Sequence, residues 1–149
     1  MNLEELKVYN LSMEIGEKIW SIVSKWDYFS KDTVGKQFIK SADSIAANIS
    51  EGYGRYHYRE NIQFCYYSRG SLFETKTWTE KSYRRELISE KEHFEIINNL
   101  VIIAKMLNSY VKSIGKIDNT VGEPSVNYQE VIDKDDYKIW SNDLTFIDK

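Results

Sequence analysis

Apolar residues along this chain recur at steps of three and four rather than two, the pattern of helices with one greasy side. Leu6, Tyr9, Met13, Ile19, Ile22, Val23 and Trp26 predict a first helix over about 3–27. Ser30, Asp32 and Thr33 each offer a cap for a second helix over about 33–52, whose stripe is Phe38, Ala42, Ile45 and Ile49. A third helix over about 57–86 carries small residues on one side, namely Cys65, Ser68, Ser71, Leu72, Thr75 and Thr79, with Phe64, Tyr67, Trp78 and Tyr83 as bulk around them. Ser89 with Glu92 three residues on is a capping box announcing a fourth helix over about 90–114, apolar on both flanks and therefore covered from two sides. The inferred connections are short, which makes consecutive helices neighbours. The predicted fold is all-α, an antiparallel up-down-up-down four-helix bundle.

The second helix has two unlike faces. Beside its apolar stripe, Ser41, Ser44, Asn48, Glu51 and Arg55 form a polar row, while Ala42, Ala46 and Ala47 leave room for another helix. Gly52 is expected to stop the helix as a left-handed C-cap, and Gly54 to free the turn after it. From Gly115 onward the composition turns loop-like, yet Tyr128, Val131, Ile132, Tyr137, Trp140, Leu144, Phe146 and Ile147 are too apolar for a solubilising tail. The expected division is a bundle over 1–115 and a C-terminal extension over 116–149 that docks on the bundle or on a neighbour.

Composition narrows the functional classes. One cysteine excludes a disulfide framework and a thiolate metal cluster. The acidic start and the lack of a long apolar run argue for a cytoplasmic chain with no membrane partner. Residues 1–115 hold 16 basic against 15 acidic side chains and residues 116–149 hold 4 against 8, so the net charge of −3 belongs mostly to the extension. That balance is far from a strongly basic nucleic-acid footprint.

The candidate chemistry has a bland and a sharp reading at each place. Asn48, Glu51 and Arg55, with Arg69 and Glu74 from the next helix, read first as a hydrogen-bonded network that fixes helix register or a subunit contact. Arg55, Tyr56, Tyr58, Arg59 and Arg69 interleave bases with rings, as single-stranded RNA or DNA would require, although Tyr and Arg are also enriched at protein contacts. A di-metal centre needs two Glu-x-x-His elements, and the chain has one, Glu90 with His93, while His57 has Gly54 three residues before it. No catalytic residue, metal site or cofactor is expected, since Cys65 sits among core positions and Gly52 with Gly54 lacks phosphate-loop spacing.

The run Ser44-Ile-Ala-Ala-Asn-Ile-Ser-Glu-Gly52 with Gly54-Arg55, then Phe64 and Ser68-Arg-Gly-Ser-Leu-Phe-Glu74, resembles the four-helix-bundle family named for 23S rRNA intervening-sequence proteins. The resemblance covers about residues 3–114. It implies four antiparallel helices assembling into a ring-shaped homopentamer, and its motif falls on Asn48, Glu51, Gly52, Arg55, Arg69, Gly70, Ser71 and Glu74. His57 stands where many members place a Ser or Thr cap. The functional expectation is a non-enzymatic oligomeric scaffold or adaptor whose partner is itself, with rRNA, other nucleic acid or a protein as a further partner. The alternative is an RNA- or DNA-binding protein using the basic and aromatic residues of 52–69.

Overall fold

The computed structural model describes residues 2–121, with side chains through residue 117. Among the described residues every regular element is helical: α1 (Lys7–Val23), α2 (Lys36–Tyr53), α3 (Tyr58–Arg84) and α4 (Glu90–Val121) are the long ones. α1 begins later than its pattern predicts because Asn2 and Glu5 close a capping box around a 3₁₀ turn, Leu3–Glu5, and the chain bends at Leu6. It also ends earlier, at Val23, and Trp26 turns inward to lie 6.3 Å from the Phe38 ring.

The lead into α2 is capped by Asp27, not by Ser30, Asp32 or Thr33. Its carboxylate accepts from the Ser30 amide at 3.0 Å and the Ser30 hydroxyl at 2.8 Å, starting a helical turn, Tyr28–Ser30, that widens into a π-helical stretch, Lys31–Gly35. The amide bond is the main reason the Asp27 carboxyl is held below its ordinary 3.8. α3 starts after His57, which makes no side-chain cap. It ends at Arg84 in a Schellman turn: the Leu87 amide bonds Ser82 O at 2.8 Å and the Glu86 amide bonds Tyr83 O at 3.0 Å. Glu86 takes the left-handed position there, with φ of 58°. The Ser89–Glu92 capping box opens α4 as its sequence predicts, with bonds of 2.9 and 3.0 Å.

Packing follows the apolar stripes. Ile15, Ile19, Phe38, Ile45, Ile49, Leu72, Ile96, Leu100 and Ile103 are fully buried. α4 is covered along both flanks by the rest of the described chain, with Ile97, Val101 and Leu107 buried as well, while Phe94 stays half exposed. Helix pairs are tied by named contacts: Lys18 to Glu95 between α1 and α4, Asn61 Nδ2 to Tyr110 Oη at 3.2 Å between α3 and α4, and Ser68 Oγ to Ile45 O at 2.8 Å between α3 and α2. Gly115 is buried and does not stop α4, which runs to Val121 across the expected 115/116 boundary. The extension beyond residue 121, with its expected docking, lies outside the described residues.

Candidate functional site

The polar row of α2 meets α3 along a narrow seam because both helices present small residues there. The Ser41 and Thr75 hydroxyls lie 3.1 Å apart, and with its one proton donated to Ser71 O at 2.7 Å the Thr75 oxygen is left to accept from Ser41. Both are buried, and each hydroxyl is satisfied, which is the condition for polar groups in a core. Gly52 sits at the tightest point of the seam. A Cβ on it would lie 2.7 Å from Asn61 Oδ1, 2.8 Å from Phe64 Cβ and 3.0 Å from Asn61 O. The expected left-handed cap is therefore corrected: Gly52 lies within α2, and the C-cap is Gly54 in a right-handed conformation with φ of −76°. Glycine is needed at 52 for closeness, not for a positive φ.

Asn48 and Ser71 are brought together by this geometry. Asn48 Nδ2 donates to Ser44 O at 2.9 Å and to Ser71 Oγ at 3.4 Å, and both side chains are half-buried. Glu51 and Arg55 instead pair with each other at 3.0 Å on the surface. The Arg55 guanidinium lies 4.7 Å from the centroid of the Phe64 ring, which meets Tyr67 edge-on at 5.3 Å. Tyr67 accepts from Gln63 Nε2 at 2.8 Å and remains 49% exposed. Glu74 turns to its own helix, accepting from Trp78 Nε1 at 3.4 Å, and Arg69 covers the Phe73 ring at 5.5 Å. The eight motif residues thus divide between an internal seam (Asn48, Gly52, Ser71), a corner (Glu51, Arg55) and the outward side of α3 (Arg69, Gly70, Glu74).

Gly70 is the outlier of that outward side. It stands mid-helix and exposed, and an added Cβ would meet nothing within 4 Å. Of the residues considered for nucleic acid, Tyr56 is 91% exposed with its ring edge-on to His57, whereas Tyr58 packs against the core. Arg55 and Arg59 are exposed as well.

The structure also gives His93 a setting that sequence spacing does not reveal. Its Nε2 lies 2.9 Å from Glu80 Oε1 and its ring stacks on Tyr83 at 4.4 Å, a tie between α3 and the start of α4. Glu80 and Tyr83 belong to a different helix, so no local motif points to them. Among the described residues no three His, Cys, Asp or Glu side chains gather as metal ligands, and no helix is long and apolar enough to cross a membrane. Burial pushes the Cys65 thiol up to about 12, which keeps the thiolate scarce at neutral pH. On the opposite side of α2, burial and then the charge of Glu17 raise the Asp43 carboxyl above its ordinary 3.8.

Comparison with known proteins adds a family. A family model described as 23S rRNA-intervening sequence protein matches residues 4–109. Among solved structures, a protein with unknown function from the S23 ribosomal protein family of Bacteroides thetaiotaomicron is similar at 26% identity and a TM-score of 0.62, covering 69% of this chain and 96% of that one. No curated protein matches the chain.

Proposed function

We propose, from the premise that the chain belongs to the 23S rRNA-intervening sequence protein family, that it is a non-enzymatic cytoplasmic scaffold working as a homo-oligomer, a ring of five copies. Gly70 carries this reading. A glycine inside an exposed helix costs about 1 kcal/mol against alanine, and the usual compensation is a close neighbour. Gly52 has such a neighbour within the chain, whereas the space at Gly70 is open, which supports a neighbour from another copy there. Exposed Tyr67 and Glu74 flank it, one supplying apolar area and one a charge for register.

The antiparallel up-down-up-down path belongs to the same reading. Supporting it, Ser41 meets Thr75 while Ile45 meets Ser68, so residue numbers rise along one helix as they fall along the other. The absence of chemistry is supported by what the reactive side chains do: Cys65 is buried as a neutral thiol and His93 is held by Glu80 and Tyr83. Light scattering on the native protein tests the assembly. Several times the 17.6 kDa of one chain is expected, and a clean monomer overturns it.

A second reading, binding of single-stranded RNA or DNA, is favoured by Tyr56, whose ring is 91% exposed in a stretch that also carries exposed Arg55 and Arg59. Filter binding of rRNA fragments at low salt tests it, because phosphate contacts are strongest there. Retention that falls with salt supports it, and no retention rejects it.

A further inference from the structure

The end of α1 and the start of α2 form an open apolar groove of about 470 Å³, lined by Trp20, Val23 and Ile39 together with Lys31, Lys36 and Lys40. Trp20 is 58% exposed, and Tyr28 and Phe29, in the turn before α2, are more exposed still. Lys36 is held by Asp32 at 2.5 Å, while Lys31 and Lys40 form no ion pair with a described residue. A volume of this size with an apolar lining and a few charges suits a ligand that is greasy on one side and anionic on the other.

We propose that residues 137–147 of this same chain occupy the groove. Tyr137, Trp140, Leu144 and Ile147 follow at steps of three, four and three, one side of a helix. Asp136 and Asp143 lie next to that side, and residues 122–149 hold seven acidic against three basic side chains, opposite in sign to the groove lysines. The depression between α1 and α2 at Gly16 carries Glu17 and Asp43, and would repel the same segment.

The chain length also fits. Lys7 and Val8 at the start of α1 line a surface with Tyr110 of α4, so Val121 lies about 16 Å past that point and the groove about 25 Å along α1. Residues 122–136 reach about 50 Å when extended, against the roughly 40 Å required.

The test places photoreactive benzoylphenylalanine at Trp20 in the full chain, followed by irradiation, trypsin and mass spectrometry. The expected adduct joins position 20 to the peptide 139–149, and a mixture of unlabelled and ¹⁵N chains is expected to give like-with-like adducts. The charge reversals Lys31→Glu and Lys40→Glu are expected to lower the yield several-fold without changing the helical signal, and adding Asp136→Lys with Asp143→Lys to restore it, the adduct then falling on peptides 139–143 and 144–149 because the change at 143 adds a tryptic site. Adducts confined to bundle peptides, mixed-isotope adducts, or the same adducts appearing only from a probe at Ser109 beside α4 overturn the proposal. None of these outcomes depends on how many copies assemble.

Discussion

Where α2 meets α3, Gly52 lets two backbones approach until an added Cβ would sit 2.7 Å from Asn61 Oδ1, whereas Gly70 on the outward side of α3 has open space around it. Both glycines fall in the same family motif and both lack a side chain for a helix to pack against. One is explained completely by its own subunit and the other is not explained by it at all. On the proposed reading the difference separates two uses of a small residue: closing a fold, and leaving a place for a second copy. The polar motif residues divide the same way, since Asn48 and Ser71 bond each other across the seam while Glu51 and Arg55 form a surface pair.

Gly52→Ala is expected to break the seam most. The Cβ has backbone and a short Asn61 side chain against it, so the subunit is expected to lose about 1–3 kcal/mol, measured by urea unfolding. An unchanged midpoint would show that the helices separate freely there. Gly70→Ala is expected to act with the opposite sign, adding about 0.5–1 kcal/mol to unfolding of the dissociated subunit through helix propensity alone. A loss of stability in that state would mean that Gly70 has a role within the subunit.

Glu51→Ala sharpens the same division at its polar end. Because the Glu51–Arg55 pair is exposed and spaced i,i+4, its loss is expected to cost no more than about 0.5 kcal/mol in thermal unfolding. A much larger cost would make the pair part of the seam. The smallest expected effects are in pH. Asp43 has a raised folded pKa, so its favourable contribution is present below 3.8 and is lost as pH rises through the raised value. Asp43→Asn is therefore expected to raise Tm near neutral pH, with the advantage gone in acid. Asp27 has a lowered folded pKa, so its contribution is present above 3.8 and is lost as pH falls through the lowered value. Asp27→Asn is expected to show the reverse trend, and Tm series across acid pH check both signs.

Helix existence was legible in the sequence because burial imposes a period of three to four residues, and the Ser89–Glu92 cap because both partners lie within one turn. Helix ends were less so. Asp27 does the capping expected of Ser30, Asp32 or Thr33, since several adjacent residues have the right oxygens and only the path of the chain chooses among them. Gly52 illustrates a deeper ambiguity. A missing Cβ serves a left-handed cap and a close crossing equally well, and here the left-handed position after α3 is filled by Glu86 instead. At the candidate site, Asn48 with Ser71 and His93 with Glu80 join positions 23 and 13 residues apart, contacts that arise only when helices pack.

The outward side of α3 as a contact between copies is tested most directly by the sedimentation mass of Gly70→Trp beside that of the native chain, with helicity monitored in parallel. The native protein is expected to sediment as several copies and the variant, still helical, as a single 17.6 kDa chain. A helical Gly70→Trp protein that keeps the full native mass would contradict it, because a bulky ring cannot share that surface with a closely packed neighbour.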